Sequence, residues 1–142
     1  MKTCIITGAS DGIGKATAIQ LSNRGYYENM VLIGRNYNKL LETRKLLKKG
    51  VNAHLVEFDL INIENIPLLV EDIYTRFNSI NCLLNVAGYT DPQPLLQTSF
   101  ENLLTTYTIN VFAPIILARE CVKYMKQNKG VSKILNVAST AG

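Results

Sequence analysis

Three glycines within eight residues, Gly8, Gly12 and Gly14, limit the folds open to this chain more than any other part of its sequence. They lie between the apolar run Thr3–Thr7 and an amphipathic segment, so a strand, a tight turn and a helix are predicted in that order. Gly8 permits the turn, Gly12 lets a phosphate approach the main chain, and Gly14 allows the helix to pack closely on the sheet. The alternative is a turn with a purely structural role. The spacing argues against a kinase-type phosphate loop, because no Gly-Lys-Ser/Thr sequence follows.

Short apolar runs alternate with longer amphipathic stretches along the whole chain. Their length and their content of Val, Ile and Leu are typical of strands covered on both faces. The predicted strands are Thr3–Thr7, Met30–Gly34, Ala53–Asp59, Asn81–Val86 and Lys133–Ala138. Such an order predicts an α/β fold of the Rossmann type, a doubly wound parallel sheet with helices on both faces, in one incomplete nucleotide-binding domain over residues 1–142. Ligands of such sheets bind beyond the carboxyl ends of the strands.

Composition excludes several classes of function. The net charge of +4 comes largely from lysines and arginines between Lys39 and Lys49, which are interpreted as the solvated face of a helix, so no nucleic-acid partner is expected. No run approaches the ~20 apolar residues that cross a bilayer, so no membrane association is expected. The three cysteines are far apart and odd in number, which argues against a disulfide framework and a zinc site and favours a reducing cytoplasm. The single histidine, His54, lies at the sheet end away from the expected site, so no metal site is predicted.

The end of the second strand bears on which nucleotide is bound. NAD-binding domains usually have an acidic residue there for the ribose 2′-hydroxyl, whereas this chain has Gly34 followed by Arg35, with no carboxylate before Glu42. A guanidinium can hold a phosphate through two N–H groups. NADP(H) is therefore predicted over NAD(H). The alternative is that Arg35 is a solvated turn residue.

Polar or small residues also follow the third and fourth strands. Asp59 could accept a hydrogen bond from an adenine amino group while the N–H of the next residue serves a ring nitrogen, or it could cap a turn. Small residues in Asn85-Val86-Ala87-Gly88 would let a ribose lie against the backbone, and Asn85 could tie neighbouring strand ends. An ordinary strand-to-loop turn would look the same.

Two polar residues near the end of the chain are candidates for chemistry. Apolar residues from Leu104 to Met125 recur every three or four positions and predict one long helix that contains Asn110. Pro114 lacks an N–H, so the helical bond to the carbonyl of Asn110 cannot form. That carbonyl could hold a water or could accompany a kink. Ser139 follows the fifth strand, where its hydroxyl could bond a substrate carbonyl. No GxSxG elbow surrounds it.

Together, TGASDGIG, Asp59-Leu60, NVAG, the Asn110 of INVFAP and the serine of NVASTAG resemble the classical short-chain dehydrogenase/reductase family over the whole chain. The resemblance implies that Asn85, Ala87 and Gly88 contact a ribose, Arg35 the 2′-phosphate, and Asp59 and Leu60 the adenine. The residues that would line the cofactor phosphates are Gly8, Ser10, Asp11, Gly12, Ile13 and Gly14. It also implies that Asn110 holds a water of a proton relay, that Ser139 orients a small carbonyl or alcohol substrate, and that the parent protein is a homodimer or homotetramer.

One part of the family pattern is missing. The resemblance implies a YxxxK motif, the acid/base tyrosine and its lysine, about a dozen residues after the serine, yet the sequence stops at Gly142. Tyr74, Tyr89, Tyr107 and Tyr124 are not followed by a lysine at the fourth position. The expectation is a fragment of a longer NADP(H)-dependent oxidoreductase that lacks its C-terminal strands and is inactive by itself. Alternatives are a nucleotide-binding module without turnover and a purely structural partner domain.

Overall fold

A computed structural model describes residues 1–139 and shows one five-stranded parallel sheet. The strand order is β3-β2-β1-β4-β5, so the chain moves outward from β1 to β3 and then crosses to the other side of β1. The strands are β1 Thr3–Thr7, β2 Asn29–Gly34, β3 Asn52–Glu57, β4 Cys82–Asn85 and β5 Lys133–Asn136. The helices are α1 Gly12–Arg24, α2 Tyr37–Lys45, α3 Ile66–Phe77, α4 Phe100–Tyr107 and α5 Ala113–Met125. The predicted doubly wound fold is confirmed.

Each face of the sheet has its own buried core. Alternate residues of a strand point to opposite faces, so Ile5 of β1 packs with α3 and α5 while its neighbours Cys4 and Ile6 pack with α1 and α2. The three central strands are buried throughout. The continuous apolar runs in the sequence therefore reflect burial on both sides of the sheet.

The third and fifth strands end earlier, at their carboxyl sides, than the sequence predicted. The third strand ends at Glu57 instead of Asp59, and the fifth at Asn136 instead of Ala138. In both cases the residues beyond the strand lie at the edge where ligands of such sheets bind. The edge strand β5 leaves Ile134 and Leu135 exposed.

Local side-chain chemistry sets the ends of α1 and α2. Asp11 caps α1 by accepting a hydrogen bond from the Gly12 N–H at 2.8 Å, and Asn36 caps α2 through the Lys39 N–H. Gly25 ends α1 at φ 68°, a left-handed conformation that glycine adopts without penalty.

The segment predicted as one long helix, from Leu104 to Met125, is helical throughout, but it is not a regular α-helix. A five-residue π-helical segment, Thr108–Phe112, separates α4 from α5 just before Pro114, whose ring cannot continue a regular helix. The buried face of this region carries Ile109, Ala113, Leu117, Cys121 and Met125. The first four residues of the predicted stripe are instead at least partly exposed: Leu104, Tyr107, Val111 and Ile115. Within residues 1–139, no helix is both long and apolar enough to cross a membrane.

Candidate nucleotide-binding and catalytic site

Two adjoining clefts open at the carboxyl ends of the strands, one of about 410 Å³ and one of about 790 Å³. They share the wall formed by Ile13 and the segment Val86–Tyr89. The first cleft contains most of the sequence-predicted cofactor residues: Gly8, Ser10, Asp11, Gly12, Ile13, Gly14, Arg35, Asp59, Leu60, Ala87 and Gly88. The second contains Asn85, Asn110 and Ser139. The fold therefore brings the predicted residues from six separate chain segments to one edge of the sheet.

Glycine is required at two points of the turn because other parts of the main chain approach it closely. A Cβ at Gly14 would lie 2.1 Å from the Gly8 carbonyl oxygen, and one at Gly8 would lie 2.9 Å from the Ala87 backbone. Gly12 has open space around it but a φ of 50°. The turn is thus compact on its protein side and open on its cleft side. This shape leaves the amide-rich start of α1 accessible to an anion.

A lysine that the sequence analysis assigned to a solvated helix face lies at this turn. The Lys39 Nζ is 2.9 Å from a carboxylate oxygen of Asp11, and both side chains are largely exposed. The hydrogen bond from Lys39, followed by that from the Gly12 amide, lowers the pKa of Asp11 below its usual value. The contact places a second cation, besides Arg35, next to the first cleft. Sequence spacing gave no signal for it, because periodicity does not show which side chain of α2 turns back over α1.

The end of β2 has little room for a side chain. A Cβ at Gly34 would lie 3.1 Å from the Ser10 Oγ and 3.2 Å from Leu40, so both side chains would have to shift by a few tenths of an ångström to accept an aspartate or glutamate. Arg35 is exposed and lines the first cleft. Glu57 is in register with Gly34 on β3 but does not line this cleft.

Thr7, which the sequence analysis did not single out, holds the fourth strand end in place. Its buried hydroxyl oxygen accepts hydrogen bonds from the main-chain N–H groups of Val86 and Ala87 at 3.0 and 3.1 Å. It also donates to the Leu84 carbonyl at 3.4 Å. One side chain of β1 therefore satisfies main-chain groups that lie just past the end of β4 and bend away from the sheet.

Asn85 ties β4 to β5, as its position suggested. Its Nδ2 donates to the Asn136 Oδ1 at 2.8 Å. The Asn85 Oδ1 is buried and accepts no hydrogen bond from residues 1–139. An unsatisfied buried acceptor at the wall of the second cleft is suited to a bound water or ligand donor.

Asn110 lies in the π-helical segment, and its side chain is bonded to the loop after β4. Its Oδ1 accepts from the Tyr89 N–H at 2.8 Å and its Nδ2 donates to the Tyr89 carbonyl at 2.7 Å. Gly88 lies against the same amide, since a Cβ there would be 3.7 Å from the Asn110 Oδ1. The side chain thus has a positioning role that the sequence did not reveal, while its main-chain carbonyl remains the predicted water site.

The remaining predicted residues lie in the clefts with simpler surroundings. Asp59 caps a turn by accepting from the Ile61 N–H at 3.1 Å, which is the alternative considered for it, and Leu60 is buried beside it. Ser139 follows β5 in the second cleft, together with Asn110. Over residues 1–139, no cluster of three or more His, Cys, Asp or Glu side chains could hold a metal ion. His54 packs edge-on against Phe77, with ring centroids 6.0 Å apart.

Comparison with known proteins identifies the family. The sequence model of the family described as short chain dehydrogenase matches residues 2–142. The chain belongs to this family. Among its curated relatives, a diacetyl reductase [(S)-acetoin forming] of Staphylococcus epidermidis is 35% identical over 99% of this chain and 54% of its own length. An NADP-dependent 3-hydroxy acid dehydrogenase of Schizosaccharomyces pombe is 31% identical over 99% of this chain and 55% of its own length.

Solved structures of short-chain dehydrogenases share the fold. A metagenomic short-chain oxidoreductase in complex with NADP superposes with a TM-score of 0.89 at 27% identity, covering 99% of this chain and 63% of its own. A short-chain dehydrogenase from Sphingobium yanoikuyae in complex with NADPH gives 0.85 at 27% identity, over 99% and 54%. The chain spans about half the length of the curated relatives it matches.

The lining of the first cleft is compatible with a bound dinucleotide. Glycines crowded on the protein side leave the N–H groups at the start of α1 accessible for a diphosphate, and Arg35 and Lys39 supply positive charge nearby. The volume of about 410 Å³ lies within the range of small-molecule sites. The adjoining second cleft leaves room for a substrate beside Asn110 and Ser139.

Proposed function

We propose that the intact protein transfers a hydride reversibly between NADP(H) and a small carbonyl or alcohol substrate. The observation that carries the proposal is the joining of two clefts at the switch point between β1 and β4, one with phosphate-binding geometry and one with Asn110 and Ser139. Relatives named as diacetyl reductase and NADP-dependent 3-hydroxy acid dehydrogenase support the same chemistry. The bound nicotinamide would supply the hydride, and residues 1–142 would belong to one nucleotide-binding domain.

The lining of the first cleft supports the proposed cofactor roles. Main-chain N–H groups from Gly12 to Gly14 would bind the diphosphate, with Ser10, Asp11 and Ile13 lining it. Asp59 and Leu60 would contact the adenine. The segment Ala87–Gly88, which Thr7 holds in position through the Ala87 N–H, would lie against a ribose, with Asn85 fixing the strand end behind it.

The preference for NADP(H) over NAD(H) rests on the end of β2. Gly34 leaves no carboxylate to bind a ribose 2′-hydroxyl, and Ser10 and Leu40 already occupy the space beside it. Arg35 lines the cleft and Lys39 contacts Asp11, which also lines it, so a 2′-phosphate there would accept charge-assisted hydrogen bonds. Two of the similar solved structures are complexes with NADP and NADPH, in agreement with this preference.

Ser139 and Asn110 would act on the substrate side. The Ser139 hydroxyl would donate to the substrate oxygen and so fix the carbonyl for hydride transfer. The Asn110 carbonyl, which Pro114 cannot engage, would hold a water of the proton relay. The side chain of Asn110 would keep Tyr89 and the shared wall of the two clefts in place.

An assay of the intact protein tests the proposal. NADPH oxidation should be followed with a small diketone such as diacetyl, in the wild type, in Ser139→Ala, and in Thr75→Ala as an exposed control on α3. The proposal predicts turnover that falls by about 10²-fold or more in Ser139→Ala only. Full activity of Ser139→Ala would remove Ser139 from the mechanism. NADPH binding without turnover of any carbonyl or alcohol would favour the binding module instead.

We also propose that the intact protein is a homodimer or homotetramer. The support is a run of exposed apolar side chains from α4 to the start of α5, formed by Leu104, Tyr107, Val111 and Ile115. Single exposed apolar residues are common on monomers, whereas a group of them is typical of an interface. Light scattering should give a dimeric or larger mass, and Leu104→Asp with Ile115→Asp should lower it. A monomeric wild type would contradict this proposal.

The cytoplasmic location stays a prediction.

A further inference from the structure

We propose that Cys4 and Cys82 form a reversible oxidation site, in which a disulfide bond links β1 to β4 across the middle of the sheet. The site lies at the amino ends of these strands, away from both clefts. Nothing in the sequence pattern marks it, because the two cysteines are far apart along the chain and belong to no CxxC spacing.

The strand register brings the two cysteines side by side. Cys4 and Cys82 are direct partners in the parallel β1–β4 pair. Neighbouring strands run about 4.7–4.9 Å apart, and disulfides form between Cα atoms about 4.4–6.8 Å apart. Registered partners in a parallel pair point to the same face, and both residues pack in the core between the sheet and helices α1 and α2. The backbone spacing and the side-chain direction are therefore both compatible with a bond.

The surroundings make Cys82 the more reactive thiol. The hydrogen bond from the Cys4 thiol lowers the pKa of Cys82; burial opposes this, while a hydrogen bond from Tyr27 and the charge of Lys133 add to it. The same Cys82 contact, together with burial, raises the pKa of Cys4. Cys121, which is buried on the other face of the sheet beside Glu120, has its pKa raised to about 12 by burial and by that carboxylate. The chain thus contains one activated thiol, one partner thiol and one inert thiol.

Access to the pair leads through Cys82. Cys82 is the first residue of β4 and retains 3% of its surface exposed, whereas Cys4 retains none. The half-buried Tyr27, in the loop between α1 and β2, packs over the same core. Opening of this loop would expose Cys82 before Cys4.

The reaction needs an oxidant, and the class proposed is a hydroperoxide such as hydrogen peroxide. The Cys82 thiolate attacks one peroxide oxygen, the O–O bond breaks, and with one proton the products are a sulfenic acid and water. The Cys4 sulfur then attacks the Cys82 sulfur, the S–O bond breaks, and the departing hydroxide takes the Cys4 thiol proton. Two thiols and one peroxide thereby give one disulfide and two waters. A dithiol reductant reverses the step by thiol–disulfide exchange.

The test is a peptide map of the intact protein. The folded wild type is treated with hydrogen peroxide, unfolded in N-ethylmaleimide, and digested for mass spectrometry. The expected result is a peptide containing Cys4 joined to one containing Cys82, with Cys121 alkylated, and complete return of the free thiols after dithiothreitol. This readout uses the unaltered protein, so it does not depend on how cysteine variants fold.

Variants sharpen the result. Cys121→Ala is the matched control and should form the disulfide at the wild-type rate. Tyr27→Phe keeps the packing but removes the hydroxyl that helps to lower the pKa of Cys82, so oxidation at neutral pH should slow several-fold. In Cys4→Ala, Cys82 should stop at the sulfenic acid or go on to the sulfinic acid. The proposal is overturned if peroxide leaves Cys4 and Cys82 alkylatable, if Cys82 is oxidised without joining Cys4 in the wild type, or if the link forms only between two molecules or through Cys121.

Discussion

The side-chain amide of Asn110 bonds both the N–H and the carbonyl of Tyr89, at 2.8 and 2.7 Å. A residue of the π-helical segment thus fixes the loop that leaves β4, the loop shared by the two clefts. Because the side chain is engaged in this way, the main-chain carbonyl of Asn110 is the group left for the proposed relay. The side chain of Asn110 would therefore position the loop, and its main-chain carbonyl would take part in the proton relay.

Removal of this amide tests its positioning role. Asn110→Ala should lower the free energy of unfolding by about 1–2 kcal/mol, because two partly solvated hydrogen bonds are lost. Exchange of the Tyr89 amide hydrogen should speed up at the same time. Asn38→Ala, an exposed asparagine on α2, is the control and should change stability by less than about 0.5 kcal/mol. An unchanged Tyr89 exchange rate in Asn110→Ala would show that the loop is held by other contacts.

Substitution of Thr7 should lower stability more than substitution of Asn110, because the Thr7 hydroxyl is buried. Thr7→Val keeps the shape but leaves the N–H groups of Val86 and Ala87 without their acceptor, so we expect a loss of about 2–4 kcal/mol of stability. Thr7→Ser keeps the acceptor and loses one methyl group, which costs about 1 kcal/mol. Urea unfolding of the two variants measures the difference. Equal losses would mean that packing of the methyl group, and not the hydroxyl, carries the role of Thr7.

Alanine substitutions at three glycines should lower stability by different amounts, according to the space and backbone conformation at each position. Gly14→Ala should cost about 3 kcal/mol or more, since its methyl group would lie 2.1 Å from the Gly8 carbonyl oxygen. Gly12→Ala has open space and should cost about 1–2 kcal/mol through its φ of 50° alone. Gly130→Ala, with neither constraint, should stay within about 0.5 kcal/mol. Thermal unfolding gives the order, and a Gly14→Ala variant as stable as Gly130→Ala would disprove the close approach.

The sequence predicted the sheet, the glycine turn and the grouping of the site residues, because strand order in a doubly wound fold brings all carboxyl ends to one edge. Arg35, Asp59 and Asn85 could be found in this way, each as the residue at or just after a strand end. Burial on both faces also gave the strands a simple apolar signal. The loop contact of Asn110 had no such signal, since it depends on the path of the chain after Gly88.

Other features depended on packing that periodicity does not specify. The apolar positions Val111 and Ile115 fit a helical stripe, yet the chain buries Ile109 and Leu117 instead. A helix with apolar residues on two faces does not show from its sequence which face meets the core. The Lys39–Asp11 contact likewise needs the angle between α1 and α2, which no sequence spacing specifies.

The Lys39–Asp11 pair predicts a dependence on pH. The Lys39 hydrogen bond lowers the folded-state pKa of Asp11, so the pair stabilises the fold above the unfolded value of about 3.9 and is lost as pH falls through the lower folded value. Asp11→Asn should therefore melt below the wild type at pH 7, and the gap should shrink toward pH 3. Glu71→Gln, exposed on α3, is the control and should show no such change. A gap that is constant with pH would mean that the ion pair adds no stability.

Titration of the intact protein with NADPH and NADH tests the nucleotide site most directly. NADPH should bind at least about tenfold more tightly than NADH, because Arg35 lies at the end of β2 and no carboxylate is present there. Arg35→Ala should weaken the binding of NADPH by about 10–100-fold and leave the affinity for NADH nearly unchanged. Arg44 is an exposed arginine of α2, and Arg44→Ala should alter neither affinity. No binding of either nucleotide, or tighter binding of NADH by the wild type, would contradict the account.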